Sequence, residues 1–113
     1  MLVYKFGGAS IKDATAIKEM VKIVNQCDDN LIIVVSAMGK TTNHLENIAR
    51  LWFNGKDIET PLNELIDYHQ NIISDLFEQN VPDNLNNIYE SLWEKLRSSP
   101  SLDFNYEYDQ IVS

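Results

Sequence analysis

The chain has 113 residues and a net charge of −8 at pH 7, and the acidic excess lies in residues 57–113, which carry two basic and twelve acidic side chains. This acidic half argues against nucleic acid and against a membrane surface as partners, because both attract basic proteins. No apolar run approaches the roughly 20 residues of a membrane span, no secretory signal is visible and Cys27 is the only cysteine, so we expect a cytoplasmic protein without disulfides.

The first 36 residues predict a strand, a helix and a second strand. Residues 2–6 (LVYKF) indicate a short strand that ends at two glycines, and Ser10 followed by Asp13 has the spacing of a helix capping box. Apolar residues at helical spacing then predict a helix of about four turns. Residues 31–35 (LIIVV) form a continuous run that is typical of a strand covered on both faces. We therefore predict a βαβ unit over residues 1–36, with a right-handed crossover.

Residues 37–113 are predicted to be mainly helical. A first helix spans about residues 42–54 and ends before Gly55, and Thr60 followed by Pro61 predicts the cap and first residue of a longer helix. Pro82 separates that helix from another, and residues 103–113 indicate the start of a last one. The longer helix carries the clearest apolar stripe in the sequence, which consists of Leu62, Leu65, Ile66, His69, Ile72, Ile73, Leu76 and Phe77.

The predicted sheet is incomplete. Sheets have about five or six strands, and this sequence predicts two. The run at residues 31–35 is apolar on both faces and therefore requires neighbouring strands. We expect an α/β protein in which these residues form the N-terminal part of a larger fold.

Two strand-to-helix junctions carry the candidate chemistry, KFGGAS at residues 5–10 and SAMGKTTN at residues 36–43. In a parallel sheet both lie at the carboxyl ends of strands, where ligands bind. In the first junction Gly7 and Gly8 allow the backbone to approach a ligand, and Lys5 adds a full positive charge. A helix start beside them would favour phosphate further. A structural turn that follows an exposed lysine would produce the same local pattern.

The second junction contains GKT, which invites comparison with the P-loop of nucleotide hydrolases. A P-loop has a glycine five positions before its second glycine, and here Val34 stands five positions before Gly39. The P-loop is therefore excluded. The remaining polar turn could hold a carboxylate or a phosphate through hydroxyl and backbone donors, and it consists of Ser36, Lys40, Thr41, Thr42 and Asn43.

Together the two junctions resemble the motifs of the aspartokinases, which belong to the amino-acid kinase superfamily. KFGGAS is similar to their KFGG(T/S)S opening, and SAMGKTTN is similar to their VVSAMG-type strand end, in the same order. Ala9 stands where that family usually has threonine. The resemblance implies the N-terminal part of a three-layer α/β/α sandwich. The nucleotide-binding half and the regulatory ACT domains of the family would lie outside this sequence.

The resemblance also implies a reaction and its residues. Aspartokinases transfer the γ-phosphoryl group of ATP to the side-chain carboxylate of L-aspartate, in lysine, threonine and methionine biosynthesis. Lys5 would be catalytic, stabilising charge on the transferring group, and Ser36 and Thr42 would line the aspartate pocket. Mg²⁺ would come with ATP, without a dedicated protein metal site, and the parent enzyme would be a homo-oligomer. The implied nucleotide-binding residues are Lys5, Gly7, Gly8, Ala9 and Ser10.

Two alternatives stay open from the sequence. Acetylglutamate, glutamate and uridylate kinases share the lysine and glycine junction, although they lack the paired motifs. From a different class, the chain could be a stand-alone helical interaction module that derives from a kinase and binds a partner through its apolar stripe. The catalytic glutamate of the aspartokinases follows in a turn beyond this sequence, so we predict that the 113-residue chain alone does not phosphorylate aspartate.

Overall fold

The order of strands and helices agrees with the sequence prediction. The computed structural model describes residues 1–78, 80 and 82–112. These residues form two compact units, Met1–Thr41 and Thr42–Ser113. None of the helices in the described part of the chain is long and apolar enough to cross a membrane. The elements are β1 (Leu2–Phe6), a 3₁₀ turn (Gly8–Ile11), α1 (Ala14–Asn25), β2 (Leu31–Val35), α2 (Thr41–Phe53), α3 (Glu59–Phe77), α4 (Asn84–Arg97) and α5 (Phe104–Val112).

The first unit contains a two-stranded parallel sheet. Both predicted strands are confirmed with their predicted bounds, and Lys5 pairs with Val34 in the register. Since side chains alternate along a strand, Lys5 lies on one face of the sheet, and Tyr4 and Phe6 lie on the other. The rings of Tyr4 and Phe6 accordingly meet edge to face, with centroids 6.4 Å apart. The predicted right-handed crossover stays a prediction.

The N-terminus contributes to this register. The α-amino group of Met1 lies 3.3 Å from a carboxylate oxygen of Asp29, and the Leu2 N–H donates a 2.8 Å hydrogen bond to the Asn30 carbonyl. The first residue of β1 is therefore attached to the turn that precedes β2. This attachment and the parallel pairing of β1 with β2 both bring the carboxyl ends of the two strands side by side.

The start of α1 differs from the prediction. The predicted capping box placed the N-cap at Ser10, but Asp13 is the N-cap, and its carboxylate accepts a 2.8 Å hydrogen bond from the Ala16 N–H. Residues 8–11 form the 3₁₀ turn instead, because the Ser10 N–H bonds the Gly7 carbonyl at 3.0 Å. The helix consequently begins later than predicted and spans 12 residues.

The second unit consists of α2 to α5. α2 ends as predicted: Gly55 has φ +70° and its N–H bonds the Trp52 carbonyl, while the Lys56 N–H reaches back to Leu51. This is a Schellman ending. The predicted cap of α3 at Thr60 is wrong, since Asp57 accepts the Glu59 N–H at 2.9 Å and the helix already begins at Glu59.

The hydrophobic core of this unit combines residues from all four of its helices. The Trp52 indole N–H also donates a 3.1 Å hydrogen bond to the Ser98 carbonyl. The ring of this large side chain is therefore packed in the core while its polar N–H group keeps a hydrogen-bond partner. The predicted last helix is confirmed as α5, although the final residue of that prediction, Ser113, lies outside the described residues. The buried residues of this core cluster are Ile48, Ala49, Trp52, Leu62, Leu65, Leu96 and Ile111.

Candidate functional site

The two sequence junctions meet through their backbones inside the first unit. The Ser36 N–H donates a 3.0 Å hydrogen bond to the Phe6 carbonyl, which extends the strand pairing by one residue. The Gly39 N–H then donates a 3.0 Å hydrogen bond to the Gly8 carbonyl. The chain segments that leave β1 and β2 therefore stay in contact beyond the sheet, and they form one continuous surface at its carboxyl edge.

The two neighbouring glycines of the first junction have different roles. A Cβ atom on Gly8 would collide with the Gly39 carbonyl oxygen and would lie 3.1 Å from the Ala37 carbonyl oxygen. A Cβ atom on Gly7 would meet nothing within 4 Å, and Gly7 has an ordinary φ of −76°. Gly8 is thus required by the close approach of the second junction. The sequence did not indicate this steric role, because the presence of glycines in both motifs does not show which of them lies against the other junction.

Unused hydrogen-bond donors lie beside that contact. Among residues 1–78, 80 and 82–112, the N–H groups of Gly7, Gly8 and Ala9 donate to no acceptor. Lys5 is exposed at the end of β1, and within the same described residues its ammonium group takes part in no ion pair. Unused amides that follow an ammonium group without an ion pair are the donors that an anion requires.

One part of the predicted anion site is wrong. The sequence analysis expected the start of the next helix to add its positive dipole end beside Gly7 and Gly8. The 3₁₀ turn intervenes, and the N-terminus of α1 is already occupied by the carboxylate of Asp13. A negatively charged cap both uses an N–H donor and repels phosphate. The positive charge of this site therefore depends on Lys5 and on the loop amides.

Hydrogen bonds within one turn fix the conformation of the second junction. The Thr41 hydroxyl donates a 2.6 Å hydrogen bond to the Met38 carbonyl, and the Thr41 N–H bonds the same oxygen at 3.1 Å. Thr41 is buried, whereas Ser36 is exposed at the end of β2. The structure thus places Ser36 in the same unit as the nucleotide-site candidates. Thr42 is exposed and is the second residue of α2, in the second unit.

Two other features of the described residues bear on ligand binding, the placement of possible metal ligands and one cavity. In the part of the chain that the structure describes, no three His, Cys, Asp or Glu side chains are grouped to hold a metal ion. An open cavity of about 240 Å³ lies along α3 and α4, and the residues that line it carry no charge. They are Gln70, Ile73, Ser74, Leu85, Asn86 and Tyr89, and burial raises the pKa of Tyr89 above its ordinary value.

Among the described residues of the second unit, Lys95 and Glu107 form an ion pair whose carboxylate is buried. Glu107 on α5 is 2% exposed, and its Oε2 lies 3.1 Å from the Lys95 Nζ on α4 without completing a hydrogen bond. Oε1 accepts from Lys95 and from the Ser101 hydroxyl, both at 3.3 Å. The ammonium group also lies 5.7 Å from the centre of the Trp52 ring. These contacts attach α5 to α4, and we assign them a structural role.

Known proteins resemble this chain in sequence. The model of the "Amino acid kinase family" matches residues 1–101. A bifunctional aspartokinase/homoserine dehydrogenase from Haemophilus influenzae is 32% identical over 88 residues, which cover 76% of this chain and 11% of that protein. The chloroplastic aspartokinase 2 of Arabidopsis thaliana is 48% identical over 44 residues, 38% of this chain and 8% of that protein.

A solved structure resembles the fold. The aspartate kinase of Clostridium acetobutylicum matches 98% of this chain with a TM-score of 0.77 and 21% sequence identity. The match covers 26% of that longer chain. This chain therefore spans about a tenth of the two curated relatives and a quarter of the structural one. The resemblance that the two motifs indicated is confirmed, as is the predicted α/β kinase fold.

Proposed function

Because the chain belongs to the amino acid kinase family, we propose that it supplies the phosphoryl-binding part of an aspartate kinase. The observation that carries the proposal is that the unused N–H groups of Gly7, Gly8 and Ala9 follow the exposed Lys5 closely in the chain, where the two junctions touch. The similarity to two aspartokinases favours aspartate over the acceptors of acetylglutamate, glutamate and uridylate kinases.

The proposed reaction is a direct phosphoryl transfer. The bond between the γ-phosphorus of ATP and its bridging oxygen breaks, and a bond to a side-chain carboxylate oxygen of L-aspartate forms. The products are ADP and 4-phospho-L-aspartate. Charge develops on the phosphoryl oxygens during transfer, so an ammonium group held beside them lowers the barrier. Lys5 would provide that group.

The loop residues would position the nucleotide. The N–H groups of Gly7, Gly8 and Ala9 would donate to phosphate oxygens, with the Ser10 hydroxyl beside them. Ala9 in place of threonine removes one hydroxyl but leaves the backbone donor. Ser36 and Thr42 are the proposed contacts for aspartate. Magnesium, when bound with ATP, would neutralise phosphate charge, and the site as described adds no carboxylate cluster to hold it alone.

The wider context is proposed from the same resemblance. The activity would serve lysine, threonine and methionine synthesis in the cytoplasm, within a homo-oligomeric parent enzyme. The isolated chain is expected to bind nucleotide weakly and to release no ADP in an aspartate-dependent manner. A coupled assay that detects such release from the isolated chain would contradict this expectation.

Calorimetric titration tests the proposed role of Lys5. Mg-ATP is titrated into the wild-type chain, into Lys5→Met and into Lys18→Met, which removes an equal charge from the exposed face of α1. We expect Lys5→Met to weaken binding by about tenfold, the effect of one charge-assisted hydrogen bond, while Lys18→Met leaves it unchanged. Equal affinity of the two variants for Mg-ATP would show that Lys5 does not contact the nucleotide.

A further inference from the structure

The open cavity along α3 and α4 has no part in the activity proposed above. Its volume of about 240 Å³ lies below the roughly 300–1,000 Å³ of typical small-molecule sites, and it is open to solvent. One side chain of a larger partner therefore fits it better than a cofactor does. We name it the α3–α4 cavity, and its walls are Gln70, Ile73 and Ser74 on α3 and Leu85, Asn86 and Tyr89 on α4.

The walls combine apolar surface with unused polar groups. Ile73 and Leu85 are half-buried and can pack against an aliphatic chain. The half-buried ring of Tyr89 adds a flat aromatic face. In the part of the chain that the structure describes, the side-chain oxygens of Ser74 and Asn86 accept no hydrogen bond. The cavity therefore suits a group with an apolar stem and a flat, hydrogen-bonding end.

The charge around the cavity selects a cation. Residues 57–94, which include α3 and most of α4, contain nine acidic side chains and no lysine or arginine. Asp67 lies three residues before Gln70 on α3. Glu90 lies four residues after Asn86 on α4. Residues at these spacings are neighbours on a helix surface, so both exposed carboxylates lie on the rim of the cavity. Among the described residues neither of them forms an ion pair.

Arginine matches these features better than lysine. Its aliphatic stem packs on apolar side chains, and its planar guanidinium group donates several hydrogen bonds and stacks on aromatic rings. The ammonium group of lysine is more strongly hydrated, so its transfer into a partly apolar cavity costs more free energy. The second unit already contains a contact of this kind, since the guanidinium carbon of Arg97 lies 5.6 Å from the centre of the Trp93 ring.

We propose that the α3–α4 cavity is a docking site for an arginine side chain on a basic segment of a partner protein. The guanidinium group stacks on the Tyr89 ring and donates hydrogen bonds to the side-chain oxygens of Ser74 and Asn86, while the stem packs on the apolar wall. Neighbouring basic residues of the segment face the two rim carboxylates. An arginine anchor inside a polar rim is a common arrangement at protein interfaces.

Titration with a model peptide tests the proposal. The probe is an acetylated and amidated pentapeptide with the sequence lysine, glycine, arginine, glycine, lysine, and its control carries uncharged citrulline in place of arginine. Each is titrated into the isotope-labelled full chain while NMR follows the Tyr89 ring and the Asn86 side-chain amide. We expect the arginine peptide to bind at least about tenfold more tightly, because only it makes charge-assisted hydrogen bonds. Equal affinities, or no shift at these two groups, would overturn the proposal.

Three substitutions on α4 locate the contact. Asn86→Ala removes a lining acceptor, and its matched control Asn87→Ala removes the same amide from the next exposed residue, which faces another side of the helix. We expect Asn86→Ala to weaken binding of the arginine peptide by about fivefold and Asn87→Ala to leave it unchanged. Tyr89→Leu keeps the wall apolar but removes the ring, and it should weaken binding by a similar factor of about five. Circular dichroism of each free chain verifies folding. Equal affinities of the two asparagine variants would contradict the contact.

The rim charge should have a smaller effect. We expect Asp67→Asn to weaken binding by about twofold to threefold at low salt, because one exposed carboxylate contributes little. Asp75→Asn is the matched control, since it removes the same charge from another face of α3 and should change the affinity less. Equal losses would show that the net charge of the second unit, and not this cavity, attracts the peptide.

Two further measurements separate the alternatives. N-acetylarginine amide lacks the flanking basic residues and should bind at least about threefold more weakly than the pentapeptide. If it binds as tightly, the cavity is a site for small guanidinium compounds, and the proposal of a protein partner fails. Lys5→Met should leave peptide binding unchanged. A chain that binds the arginine peptide but not Mg-ATP would refute the phosphoryl-binding role proposed above, while the docking inference would stand.

Discussion

The two units of this chain differ in how they bury their apolar residues. The second unit closes a core from four helices, in which Ile48 and Leu62 have no exposed surface. The first unit buries Ile11 and Ala14 among its described apolar residues and leaves the β2 residues about half exposed. The difference follows from geometry: amphipathic helices can cover one another, whereas a parallel strand needs neighbours on two edges and two faces.

The largest expected effect is a loss of stability in the second unit, and one substitution in each unit tests the contrast between them. Ile48→Ala should lower the free energy of unfolding of the second unit by about 3 kcal/mol, because it leaves a cavity in a closed core. Ile32→Ala should lower the stability of the first unit by about 0.5 kcal/mol or less, since its side chain is 45% exposed.

Two probes keep these measurements separate. Both tryptophans, Trp52 and Trp93, lie in the second unit, so fluorescence in a urea titration reports that unit alone. Amide exchange of β2 reports the first unit. A loss of stability from Ile32→Ala as large as that from Ile48→Ala would mean that the sheet residues are buried in solution, and the comparison of the two units would fail.

The ion pair between Lys95 and Glu107 should have the next largest effect. Lys95→Met leaves a carboxylate that is 2% exposed without its cation, and we expect a loss of about 2 kcal/mol from the second unit. The matched control is Arg50→Met, which breaks the exposed 2.8 Å pair with Glu46 and should cost about 0.5 kcal/mol or less. Urea denaturation followed by circular dichroism measures both.

A second substitution distinguishes a lost pair from lost packing. If the cost of Lys95→Met arises from the stranded carboxylate, Glu107→Gln should recover part of the stability in the double variant. Additive losses from the two substitutions would show that the helices α4 and α5 are held by packing alone. The ring contacts of Lys95 with Trp52 and Tyr106 would then account for its effect.

The contact between the two junctions provides a smaller test within the first unit. Gly8→Ala places a methyl group against the Gly39 carbonyl, and we expect the first unit to lose about 1 kcal/mol as the junctions separate. The amide proton of Gly39 should then exchange with solvent several-fold faster, as measured by NMR. Gly7→Ala is the matched control, because its added methyl group meets no atom within 4 Å. Equal exchange rates in both variants would contradict the steric role of Gly8.

The sequence predicted most of the fold because its signals are local. Continuous apolar runs, helical spacing and glycine or proline punctuation identified both strands and the five α-helices of the described residues, whereas the 3₁₀ turn was not predicted. The caps were harder to predict. Ser10, Asp13 and Thr60 are all plausible cap residues, and the residue that caps is selected by the turn in front of the helix, as at the 3₁₀ turn of residues 8–11.

The candidate site was predicted only in part, for a physical reason. The residue types identified the ammonium group, the glycines and the hydroxyl groups of the candidate site. They did not show which backbone N–H groups lack an acceptor within the protein. That depends on hydrogen bonds between distant residues, such as Gly39 N–H to Gly8, and on Asp13 occupying the start of α1. The assigned role of Lys5 stays a prediction for the calorimetric titration described above, and the roles of Ser36 and Thr42 also stay predictions.

The smallest expected effect concerns Tyr4, on the face of the sheet opposite Lys5. The nearby Cys27 raises the pKa of Tyr4, first through its charge and then through a hydrogen bond, because a negative neighbour disfavours the phenolate. Cys27→Ala should therefore lower the pKa of Tyr4 toward its ordinary value, which ring-carbon NMR of labelled tyrosine follows at alkaline pH. Tyr89 is the internal control, since burial alone raises its pKa and it should titrate unchanged. If Tyr4 also titrates unchanged in the variant, the thiol is not its neighbour in solution, and the turn before β2 lies further from β1 than the structure places it.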